Sequence, residues 1–219
     1  MSLNNSKSQT EILESSRIAL TNVEENPVIK QLMEELGYNT AKIDEGKTIL
    51  NAAKTKFNNN HTLEDTRAKA YKAFNHEKIH IETKYARDRK KAKIVFKQDT
   101  LLLKELGIKG IIPKSYVKWL ETVNLFYNIL NTQPSILAQL ETIQVNQAHV
   151  TEVLAELNEL ENLKAAYILA KGNGQNETKN KNKAFKSLET YMSDFFAVAR
   201  LALESEPQLL ESLGKYVKG

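Results

Sequence analysis

Cysteine is absent from this 219-residue chain. That removes disulfides, thiolate nucleophiles and every cysteine-ligated zinc or iron–sulfur site. Four Pro and eight Gly are too few for the closely spaced turns of an all-β fold. There are four His and one Trp, so histidine-rich metal sites have little material. No apolar run approaches the roughly 18 residues of a membrane helix. The N-terminal MSLNNSKSQTEILESS places no apolar run behind a basic start, unlike a secretory signal. The expected compartment is the cytoplasm, and no membrane partner is expected. Gly-rich phosphate loops, the G-x-S-x-G elbow and paired E-x-x-H helices are missing too, which leaves nucleotide, hydrolase and di-iron chemistry without a signature.

What is present is apolar periodicity and self-similarity. Hydrophobic residues make up 41% and charged residues 26%, proportions of an ordinary folded domain. Shifted by 107 residues, the chain pairs with itself. Pro27 and Ile29 meet Pro134 and Ile136, Leu50-Asn51 meets Leu157-Asn158, and Glu82-Thr83 meets Glu189-Thr190. Leu103, Leu106 and Gly107 meet Leu210, Leu213 and Gly214. A period this long implies two domain-sized copies, not a solenoid of short repeats.

Each copy reads as four helices. Helix A covers about 9–24 and 115–131. Helix B opens at Pro27 and Pro134, where a fixed φ suits the first turn. It carries an apolar stripe through Ile29, Leu32, Leu36, Ile43 and Leu50. The spacing ends helix B at Asn58-Asn59-Asn60 and at Gly172-Asn173-Gly174, both turn-forming clusters. Helix C then carries Phe74, Ile81, Tyr85, Asp88 and Ala92 in copy one, and Phe185, Leu188, Met192, Phe195 and Ala199 in copy two. Helix D is short, with Asp99 and Glu206 at its starts and Gly107 and Gly214 as left-handed ends. The expected fold is all-α: two tandem up-and-down four-helix bundles from an internal duplication. The expected boundaries are a disordered 1–8, copy one at 9–107, a linker at 108–114 packed between the copies, and copy two at 115–219.

The segments Arg17–Pro27, Arg89–Phe96, Tyr116–Val123 and Phe195–Glu204 resemble an uncharacterised family of all-helical bacterial proteins. The resemblance implies helices and a bacterial source, and it contributes no function and no site residue.

Four groups of residues could carry chemistry. His76-Glu77-Lys78-Ile79-His80 matches H-E-x-x-H, in which two His bind zinc and the Glu is a general base. If Phe74, Ile81 and Tyr85 face the core, His80 and His76 point about 120° and 160° away, towards solvent. A solvated pair outweighs a metal-dependent hydrolase. Second, Lys84, Arg87, Lys90, Lys91, Lys93 and Lys97 make a basic face on helix C. Residues 1–110 carry net +5 and residues 111–219 net −1, which together give the +4 of the chain. Such a face suits a polyanion or nucleic acid bound with steep salt dependence, though no aromatic residues interleave it for base stacking. Third, Asp88 lies on the apolar stripe and needs a partner, for which Arg17 and Arg200 are candidates. Fourth, Tyr116, Trp119, Phe126 and Tyr127 make helix A of copy two aromatic, either as core or as a partner-binding stripe.

The sequence therefore points to a non-catalytic binding or scaffold protein with a protein partner or self-association. It implies no cofactor. Polyanion binding and metal-dependent hydrolysis are the alternatives.

Overall fold

A computed structural model describes residues 8–215. The described residues form eight α-helices and no strand: α1 Gln9–Glu25, α2 Pro27–Glu35, α3 Thr40–Val95, α4 Thr100–Glu105, α5 Tyr116–Thr132, α6 Pro134–Glu141, α7 Gln147–Ala202 and α8 Leu209–Ser212. The all-α reading holds. The disorder expected over 1–8 lies outside the described residues except at Ser8, which caps α1. Its hydroxyl accepts from Glu11 N–H at 3.2 Å, and its own N–H donates to Glu11 Oε2 at 2.6 Å. This reciprocal pair is a capping box. Asn26 caps α2 by accepting from Val28 and Ile29 N–H, with Pro27 in the first turn.

The expected helix from Pro27 to the Asn cluster is broken. The turn after α2 holds Gly37 at φ +88°, and the turn after α6 holds Gln144 at φ +64°. At each break two backbone bonds close the end. Gly37 N–H reaches Glu34 O and Tyr38 N–H reaches Met33 O; Gln144 N–H reaches Glu141 O and Val145 N–H reaches Leu140 O. The same pair of bonds closes α4 at Gly107 and α8 at Gly214. These are Schellman closures, which need a left-handed residue. Sequence periodicity passed through the breaks because Tyr38 and Val145, just beyond them, are again buried.

The expected turns are also absent. α3 and α7 each run 56 residues without interruption at Asn58–Asn60 or Gly172–Gly174. Asn costs a helix well under 1 kcal/mol and Gly about 1 kcal/mol relative to Ala, which a long packed helix absorbs. At this level Asn60 is buried and its amide donates to Thr178 Oγ1 at 2.9 Å. Lys56 Nζ lies 3.1 Å from Glu177 Oε1.

The described chain packs as two compact units. Unit 1 combines the chain up to Asp65 with the chain from Gly172 onward, and unit 2 is Thr66–Lys171. This partition differs from the boundaries read from the sequence. Each long helix gives one half to each unit. In unit 1, Leu20, Val23, Ile29, Met33 and Ile43 bury against Leu188, Met192 and Phe195 of α7. In unit 2, Trp119, Phe126, Tyr127, Leu140 and Val150 bury against Ile81, Tyr85 and Ala92 of α3. Within unit 2, α3 and α7 run antiparallel, with Tyr71 against Tyr167 and Asp88 against His149. Ile108 of the expected linker is buried in unit 2, whereas Ile111 is 89% exposed.

Candidate binding surface

The second half of α3 has two unlike faces. Phe74, Ile81, Tyr85, Asp88, Ala92 and Phe96 are buried at helical spacing. Turned away from them, Thr83, Arg87, Lys90, Ile94 and Lys97 are exposed. Spacings of four, three and four hold Thr83, Arg87, Lys90 and Ile94 in one straight row on α3, and Lys97 follows in the turn after Val95.

The six basic residues singled out in the sequence divide into two groups. Lys84 is committed to α7: its Nζ lies 2.7 Å from Glu152 Oε1 and 2.6 Å from Glu156 Oε1. Burial opposes its charge, but the two carboxylates outweigh burial and its pKa rises. In turn the Lys84 ammonium holds the Glu152 carboxyl below its ordinary value. Lys91 lies 3.7 Å from Asp88 Oδ1 and donates to the Gln144 carbonyl. Lys93 donates to the Gly110 carbonyl at 3.4 Å, and burial, then the nearby Arg89, lowers its pKa. Arg89 donates to the carbonyls of Ile108 and Gly110, which fastens the start of the 108–114 segment to α3. Arg87, Lys90 and Lys97 differ. They are exposed, and none has a carboxylate partner among the described residues. Ile94 stands between Lys90 and Lys97 and is 72% exposed. Beside this row a shallow groove is lined by Ile79, Glu82, Thr83, Ala86, Arg87 and Lys90.

Asp88 is 2% exposed. Its Oδ2 accepts the Tyr127 hydroxyl at 2.8 Å and lies 2.6 Å from His149 Nε2. Arg17 and Arg200, the partners expected from sequence, are elsewhere. Arg17 pairs with Glu14 on its own helix, and Arg200 is exposed beside α1, lining a groove with Ser15 and Ser16. Burial first, and the Asp88 carboxylate second, push the Tyr127 hydroxyl far above its ordinary pKa. His149 escaped the sequence reading because helix C was expected to pack on helix B of its own copy. The antiparallel pairing of α3 with α7 brings His149 over instead.

The aromatic stripe of α5 is not a free surface. Trp119, Phe126 and Tyr127 are fully buried, and Tyr116 packs partly buried against Phe74. Large rings occur here because Tyr85 and Phe126 meet edge to face at 5.6 Å across the core. Lys164 places its ammonium 4.7 Å from the Phe74 ring and 4.8 Å from the Tyr116 ring, which closes the stripe's outer end.

In the HEKIH segment, His76 and His80 are exposed and Glu77 is half-buried. His80 Nε2 lies 3.3 Å from Glu156 Oε1. Among the described residues no three His, Cys, Asp or Glu gather in a way that could hold a metal ion. Likewise no described helix is long and apolar enough to cross a membrane. No protein-family model, curated protein or solved structure matches the chain.

Proposed function

We propose that the chain is a non-catalytic binding protein, made of two copies of one ancestral unit, that engages an anionic partner through Arg87 and Lys90 of α3 and Lys97 of the turn that follows it. The observation that carries this reading is that three exposed cations without carboxylate partners share one row with an exposed Ile94. Cations in a folded surface are ordinarily interspersed with acids. A row left uncompensated focuses positive potential and favours an anionic partner.

The duplication is supported by burial as well as by sequence. Ile29 and Ile136, Met33 and Leu140, Ile43 and Val150, Leu50 and Leu157, Ile81 and Leu188, Ala92 and Ala199, and Leu106 and Leu213 are buried in both members. Each pair keeps the same spacing in the chain. α1 and α5 are both 17 residues long and begin at Gln9 and Tyr116. On this reading the copies are 9–107 and 115–219, and they contribute reciprocal halves to the two compact units.

The test is fluorescence anisotropy of labelled DNA, RNA and polyglutamate with the untagged chain across a salt series. Micromolar binding of a polyanion, weakened steeply by salt and abolished in the R87E/K90E double variant, supports the reading. Absence of binding to all three probes at low salt rejects it.

A further inference from the structure

The α3 row has a counterpart on α7. The residues 107 further along from Arg87, Lys90, Ile94 and Lys97 are Asp194, Ala197, Leu201 and Glu204. They have the same spacing of three, four and three, and all four are exposed. Leu201 is 61% exposed and Ile94 is 72% exposed. One row is therefore cation, cation, apolar, cation; the other is anion, small, apolar, anion. Asp194 and Glu204 take part in no ion pair among the described residues, although Asp194 shares a groove with Lys42, Lys183 and Lys186. The helical part of each row, Arg87–Ile94 and Asp194–Leu201, spans about 10 Å at 1.5 Å per residue, and Lys97 and Glu204 follow in the turns after α3 and α7.

We infer that the partner of the α3 row is a second copy of this chain, which presents the row formed by Asp194, Ala197 and Leu201 of its α7 and Glu204 of the turn that follows. The inference rests on the reading of the α3 row as a binding surface, and it names the occupant. Laid alongside each other in either direction, the two rows set Arg87 and Lys97 against the two carboxylates; Ile94 then meets Leu201 when the rows run parallel and Ala197 when they run antiparallel. A protein helix with matched charge and a small Ala197 accepts the exposed Ile94. The contact is heterologous, joining unlike patches on the two copies, so a copy bound by its α3 row still has its own α7 row to offer.

Sedimentation velocity of the untagged full chain over a micromolar concentration series tests this. The expected result is species heavier than 24.9 kDa that dissociate as salt rises, since the pairs are exposed. R87E/K97E and D194K/E204K should each weaken association by about tenfold or more. A one-to-one mixture of the two variants should restore it, because each reversed row then faces an opposite one. Circular dichroism of each variant separates loss of contact from loss of fold. A monomer at every concentration, or association unchanged in both variants, overturns the inference. Polyanion binding lost in R87E/K97E by a strictly monomeric chain also overturns it, and leaves the binding role of the α3 row standing.

Discussion

His149 Nε2 lies 2.6 Å from Asp88 Oδ2, inside unit 2, and the Tyr127 hydroxyl occupies the same oxygen. The residues 107 positions away are Lys42, Phe195 and Leu20, so the sequence does not repeat this polar cluster. Asp88→Ala removes the carboxylate but leaves the Tyr127 hydroxyl buried without an acceptor and His149 without its partner. We expect a loss of about 3 kcal/mol, since breaking a buried pair from one side strands the other. Urea unfolding measures it. A loss under about 1 kcal/mol would mean that the carboxylate adds little beyond its volume.

Five of the eight tyrosines, Tyr38, Tyr85, Tyr116, Tyr127 and Tyr191, have pKa values raised first of all by burial. The sign follows from linkage. The unfolded chain loses these protons near pH 10, whereas the folded chain keeps them. Their contribution is complete below about pH 10 and disappears as pH rises beyond it. The near-ultraviolet tyrosinate signal should therefore climb in two stages, the second coinciding with loss of helicity. A single transition for all tyrosines with the helices intact would contradict the burial described above.

The sequence made parts of this fold legible and hid others for identifiable reasons. The stripe Phe74, Ile81, Tyr85, Asp88 and Ala92 is buried as its spacing predicted, because helical periodicity reports which face turns inward. Pro27, Pro134, Asp99, Gly107 and Gly214 also mark helix ends as expected, because capping is local chemistry. Partner choice is not local. Nothing in the composition of 58–60 or 172–174 says that these residues stay helical, since that is decided by the facing helix. The same cause misdirected Asp88 towards Arg17 and Arg200. The basic face was visible as a run of charge, but its division into committed Lys84, Lys91 and Lys93 and free Arg87, Lys90 and Lys97 depends on carboxylates and carbonyls far away in sequence.

Gly46 lies inside α3, where Ala would ordinarily stabilise a helix by about 1 kcal/mol. Here we expect the opposite. A Cβ at Gly46 would lie 2.6 Å from the Tyr191 hydroxyl oxygen and as close to the ring. That hydroxyl is itself fixed, donating to the Lys42 carbonyl at 2.6 Å. Gly46→Ala should therefore destabilise the chain by about 1–3 kcal/mol, the range for overpacking. Adding Tyr191→Leu should recover part of the loss, as a double-mutant cycle with coupling between the two sites. Additive effects would show that the ring gives way without cost.

Gly172 and Gly174 provide the complementary case. Neither has a positive φ, and a Cβ added at either meets nothing within 4 Å. α7 is continuous here, so each glycine only lowers helix propensity and enlarges the freedom of the unfolded chain. Gly172→Ala and Gly174→Ala should then each stabilise by about 0.5–1 kcal/mol, and the double variant should be close to their sum. A turn at Gly172-Asn173-Gly174, as the sequence alone suggested, would reverse the sign, because a glycine held in the left-handed region resists replacement by Ala. Thermal unfolding of the double variant decides between the two backbones. A rise in Tm supports an unbroken α7, and a fall contradicts a helical backbone at Gly172 and Gly174.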